Sequence, residues 1–186
     1  MINIEDFPII AASRDGEEFI SAVKSPCDMI FWLCPNIMTM ETYLSRARKL
    51  CENTEKHIFV HIDMADGIGK DSAGIEYLSF LGVDGIISTR GHLIKSAREI
   101  GLMTVQRFFI VDSQSVSTAF DTIRSSKPDM IEIMPGIMPR IITRFTEGTD
   151  IPVIAGGLVE TKEDVISALS AGASAISTSK SELWYE

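Results

Sequence analysis

Short apolar runs rich in β-branched residues alternate along this chain with stretches of helical period. The runs occupy 7–12 (FPIIAA), 28–33 (DMIFWL), 57–63 (HIFVHID), 85–89 (GIIST), 103–110 (MTVQRFFI), 130–135 (MIEIMP), 151–156 (IPVIAG) and 174–179 (SAISTS). Runs this short suit parallel strands covered on both faces. Helical stretches lie between them, near 16–24, 39–53, 72–81, 91–100, 113–125, 137–146 and 161–170. Start signals support several of these: Asp15 ahead of Glu18, Thr39 ahead of Thr42, Asp112 or Ser113, and Thr161 with Asp164 three residues on. Gly82, Gly101 and Gly172 stand where helices stop. A strand–helix unit of about 25 residues, repeated eight times, predicts a compact TIM-like (β/α)8 parallel barrel. One such domain accounts for residues 1–186, with SELWYE as a stub of a last helix whose Trp184 and Tyr185 cover the barrel end. An open doubly wound sheet is the alternative, and the G-x-G-x-x-G expected after its first strand is missing.

Polar residues interrupt this pattern at strand ends, where a barrel places its sites. Strand seven runs into Gly156 and Gly157, then a helix capped at Thr161. Glycine there lets the backbone bend and approach a ligand closely. Strand eight runs into Ser177, Thr178 and Ser179. Barrels frequently hold phosphate on the loops after strands seven and eight, so the pair predicts a phosphate-type site. His61 and Asp63 share one strand face at period two, with Asp63 nearest the mouth. They read as a core histidine with its carboxylate partner, or as two ligands of an incomplete metal site. Arg90 follows strand four and suits recognition of a phosphate or carboxylate. Arg107 in strand five and Glu132 in strand six are placed to form a buried ion pair.

Composition narrows the function. Hydrophobic residues make up 45% of the 186 positions, and 26 acidic residues against 17 basic ones give a net charge of −9. That charge disfavours broad, non-specific nucleic-acid binding but leaves room for a local basic patch. Three cysteines, Cys27, Cys34 and Cys51, form no C-x-x-C and fit reduced thiols in the cytoplasm. The start MINIEDFPII lacks the basic and apolar regions of a signal peptide, and no apolar run reaches membrane-spanning length. The expectation is a cytoplasmic protein with no membrane partner. Catalytic machinery is not visible. No strand contains a lysine for a Schiff base, and Asp63, Asp66 and Lys70 miss the D-x-K-x-x-D spacing of barrel decarboxylases. No metal quartet and no cofactor motif stand out.

The segments HIDMADGI (61–68), DGIISTR (84–90), QRFFIVDSQS (106–115), KPDMIEIMPGIMP (127–139), IPVIAGGL (151–158) and AGASAISTSKSELW (171–184) together resemble the glycerol uptake operon antiterminator regulatory protein family. PIIAASR (8–14) fits as well, while CPNIM (34–38) and DMADG (63–67) depart from the family pattern. The resemblance implies a TIM-like barrel not known for catalysis, with no cofactor. It implies glycerol 3-phosphate as effector and the leader mRNA of glycerol-catabolic operons as target. It further implies Gly156, Gly157, Ser177, Thr178 and Ser179 around the phosphate. Asp63, Arg90, Arg107 and Glu132 are then candidates for the glycerol end or for supporting the mouth. A homo-oligomer is compatible with all of this. A phosphosugar-processing barrel enzyme (a lyase or isomerase) and a sensor acting on a protein partner are the alternatives.

Overall fold

The computed structural model describes residues 7–52 and 54–185. Eight parallel strands close into a barrel in chain order: β1 (Ile9–Ser13), β2 (Met29–Trp32), β3 (His57–His61), β4 (Gly85–Ser88), β5 (Met103–Phe109), β6 (Met130–Met134), β7 (Val153–Gly156) and β8 (Ala175–Thr178). β8 returns to pair with β1, so no edge is left open. Among the described residues, seven helices follow the first seven strands: α1 (Gly16–Lys24), α2 (Ile37–Leu50), α3 (Ser72–Phe80), α4 (Gly91–Glu99), α5 (Ser113–Ser126), α6 (Pro139–Gly148) and α7 (Lys162–Ser170). A 3-10 turn, Ser181–Tyr185, follows β8.

Alternation along each strand builds two apolar layers. Residues such as Ile10, Met29, Phe31, Phe59, Ile87, Val105 and Ile154 fill the barrel interior. Their neighbours, including Ile30, Trp32, Ile58, Val60, Ile131 and Ile133, face outward and pack with the helices, where Phe19 stacks on Trp32 with ring centroids 4.3 Å apart. Burying each such side chain contributes roughly 1.5–3 kcal/mol. The interior face changes character towards the C-terminal ends of the strands. There the inward positions hold His61, Arg107, Glu132 and Ser177, all buried. The fold therefore stacks a polar layer on an apolar plug and opens it to the mouth.

Several boundaries differ from the sequence pattern for local reasons. β3 stops at His61, because Ile62–Met64 winds into a 3-10 turn that carries Asp63 off the strand. α2 begins before Thr39. Asn36 is its cap, accepting from the Met38 N–H at 2.9 Å, and its amide also donates to Asp66 at 2.7 Å. α6 begins at Pro139, whose missing N–H suits a first helical position. Trp184 packs in the outer apolar layer and Tyr185 is exposed, so neither covers the barrel end. The readings of residues 1–6, 53 and 186 lie outside the described residues.

Candidate functional site

The mouth holds a cavity of about 490 Å³. It is walled by the ends of β5 to β8 on one side and by β1 and β2 on the other. Arg107 and Glu132 form its floor. They are register partners on β5 and β6, and Arg107 Nε donates to Glu132 Oε2 at 2.5 Å. Ser177 Oγ donates to the other carboxylate oxygen, Oε1, at 2.5 Å. The ion pair expected from the sequence is thus present, and β8 completes it with a hydroxyl. Gly156 is explained by this cluster. Facing Ser177 in register, it has no room for a Cβ, which would collide with Glu132 Oε1 and Ser177 Oγ. It supports the floor from behind and does not itself line the cavity.

The loops after β7 and β8 form the rim above. Gly157 has φ +75°, and its carbonyl accepts from Gly136 N–H at 2.9 Å, tying this loop to the one after β6. A Cβ on Gly157 would lie 2.6 Å from Met134 Cε. Leu158 follows with φ +61°. Thr178 is spent on holding the loops together: its hydroxyl donates to the Val159 carbonyl at 2.8 Å and accepts from Lys180 N–H at 3.1 Å. Its own carbonyl accepts from the Trp184 indole at 2.9 Å. Ser179 is exposed at the cavity edge. Two cations that sequence reasoning did not single out complete the rim. Arg14 follows β1, and its guanidinium has no carboxylate partner among the described residues. Lys180 stands 3.5 Å from Glu160. Around the cavity Arg14, Arg107 and Lys180 face Glu132 and Glu160, a positive excess within a chain of net charge −9. Arg14 lies just past the end of β1 as Arg90 lies just past the end of β4, and that position was the available signal.

Asp63 and Arg90 belong to a separate cluster over β3 and β4. Asp63 accepts from Ser88 Oγ at 3.0 Å, Thr89 N–H at 2.7 Å and Thr89 Oγ1 at 2.9 Å, with Arg90 Nε at 3.6 Å. The carboxylate stitches two strand ends together and does not pair with His61. His61 is 2% exposed and its Nδ1 finds no partner. Burial first, then the Arg107 charge, lowers its pKa to about 4, so the ring is neutral at physiological pH. Lys70 donates to the Ala65 carbonyl, and burial lowers its pKa too. Among the described residues, no three His, Cys, Asp or Glu side chains converge as a metal site, and no helix is long and apolar enough to cross a membrane.

This geometry can be set beside known proteins. Residues 9–184 match the family model described as "Glycerol-3-phosphate responsive antiterminator". The uncharacterized protein YgcP of Escherichia coli K12 is 38% identical, over 95% of this chain and 91% of that protein. The crystal structure of a glycerol uptake operon antiterminator regulatory protein from Listeria monocytogenes superposes with a TM-score of 0.91 at 30% identity, covering 98% and 97% of the two chains. A glycerol uptake operon antiterminator-related protein from Thermotoga maritima superposes with a TM-score of 0.81 at 32% identity, covering 95% and 96%.

Proposed function

This chain belongs to the glycerol-3-phosphate responsive antiterminator family, and from that premise we propose that it is a regulator whose effector, glycerol 3-phosphate, binds in the barrel mouth. The occupied protein then acts on the leader mRNA of glycerol-catabolic operons in the cytoplasm, letting transcription pass a terminator. One observation carries the effector site. A single cavity joins Gly157 at the start of the loop after β7, Ser177 and Ser179 at the end of β8 and an excess of positive charge, where barrels commonly hold phosphate. The phosphate lies against Gly157 and Ser179, with Arg14 and Lys180 as countercharge. The glycerol hydroxyls reach towards Arg107 and Glu132. Binding without turnover is supported by the strand composition, which offers no lysine for covalent catalysis.

Calorimetric titration with glycerol 3-phosphate, glycerol and inorganic phosphate tests the effector site. Glycerol 3-phosphate is expected to bind the wild type, glycerol alone not at all, and Gly157→Asp and Arg14→Gln are expected to weaken or abolish binding. An absence of binding, or turnover of the ester, overturns the assignment. Mobility shift of leader RNA with and without the effector tests the second half. Affinity for RNA is expected to respond to effector and to fall with salt.

A further inference from the structure

The cavity is larger and more apolar than glycerol 3-phosphate requires. A volume of about 490 Å³ lies within the range of roughly 300–1,000 Å³ typical of pockets for drug-sized ligands, whereas glycerol 3-phosphate is the ester of a three-carbon polyol. The surplus space has a definite lining. Cations and small polar groups gather where β7, β8 and β1 meet. Above the Arg107–Glu132 floor, the β5–β7 side is hydrocarbon: Phe109 and Met134, register partners at the strand ends, followed by Pro135 and Leu158. Two of these side chains are held out in solvent, Phe109 at 58% and Leu158 at 64% exposure. Leu158 also keeps a left-handed backbone, φ +61°, which a residue with a Cβ disfavours. Exposed hydrocarbon beside a charged cradle becomes covered when a ligand brings hydrocarbon of its own.

We propose that the β5–β7 wall is a second subsite, which takes the hydrocarbon part of a phosphate monoester more apolar than glycerol 3-phosphate while its phosphate occupies the rim cradle. The proposal rests on the reading of that cradle as a phosphate site. The ligand class is a phosphate ester bearing an alkyl chain or ring, long enough to lie along Phe109, Met134 and Leu158.

The test titrates the full chain with methyl, butyl and hexyl phosphate beside glycerol 3-phosphate, with hexanol as the control lacking an anion. Affinity is expected to rise along the series, by about fourfold for each methylene that becomes buried. Leu158→Asn, which tolerates the left-handed backbone, and Phe109→Ser are expected to flatten that rise. Both positions are exposed, and thermal melts establish that each variant is folded. Equal affinity for all three esters while glycerol 3-phosphate binds overturns the subsite and leaves the cradle standing. A rise that both variants retain overturns its location. Hexanol binding as tightly as hexyl phosphate overturns the link between wall and cradle. Failure of every ester, glycerol 3-phosphate included, overturns the cradle reading and the subsite with it.

Discussion

Glu132 has both carboxylate oxygens engaged deep in the barrel, one by Arg107 and one by Ser177. Removing a single partner of such a pair strands a buried charge. Glu132→Ala is therefore expected to destabilise the protein by about 3–5 kcal/mol, measured by urea unfolding. Replacing both charges, Arg107→Met with Glu132→Leu, is expected to cost less than Glu132→Ala alone, since no uncompensated charge remains. His61 sets a pH limit. Its folded pKa of about 4 lies below the ordinary value of 6.5, so between those values the unfolded chain binds a proton that the native state refuses. Stability is full above pH 6.5 and falls as pH drops towards 4, by about 3 kcal/mol in total. Unfolding of wild type and His61→Gln at pH 7.5 and pH 5 checks this, the variant being expected to lose less. The Arg107–Glu132 pair was legible from the sequence because neighbouring strands in a barrel put equivalent positions side by side. The third member, Ser177, was legible only as a loop residue. Its partner lies 45 positions away, and only the β6–β7 and β7–β8 registers together bring it in.

At the scale of elements, the start of α7 anchors the loop that carries Gly157 and Leu158. Thr161 and Asp164 form a reciprocal capping box: Asp164 N–H donates to Thr161 Oγ1 at 3.2 Å, and Thr161 N–H donates to Asp164 Oδ2 at 2.9 Å. The N–H groups of Glu160 and Thr161 and the Thr161 hydroxyl hold the Asp164 carboxyl below its usual pKa. Thr161→Ala is expected to cost about 1 kcal/mol, read as a lower melting temperature. This box was visible in the sequence because its chemistry spans four consecutive residues. The start of α2 was not. Thr39 is an acceptable cap by type, but Asn36 takes the role because Asp66, from the loop after β3, binds its side chain. Local preference was overruled by a contact between two β–α loops.

At the scale of the molecule, the proposed effector binding would be linked to folding. A ligand that binds only the native state stabilises it by about 2.7 kcal/mol at a hundredfold excess over Kd. The melting temperature is therefore expected to climb with glycerol 3-phosphate concentration, and the climb to disappear in Gly157→Asp. Differential scanning fluorimetry reads both. The net charge of −9 also bears on the RNA binding proposed above. Under that proposal contacts to RNA are confined to a local basic surface, so a mobility-shift series in salt is expected to show a shallow slope, set by few phosphate contacts.

Strand–helix alternation, the caps of α1, α5 and α7 and the helix-stopping glycines were determined by the sequence alone. Each is a local matter of periodicity, hydrogen bonding or backbone freedom, and together they imply a parallel barrel with its site at the ends of the strands. Other features depend on register and closure, which relate residues far apart in the chain. Only the tertiary structure turned Gly156 from a ligand contact into the space that Glu132 and Ser177 occupy. It also gave Asp63 to Ser88 and Thr89 instead of His61, because a 3-10 turn rotated it off the strand. And it brought Arg14 and Lys180 to one rim, since β1 and β8 become neighbours only when the barrel closes.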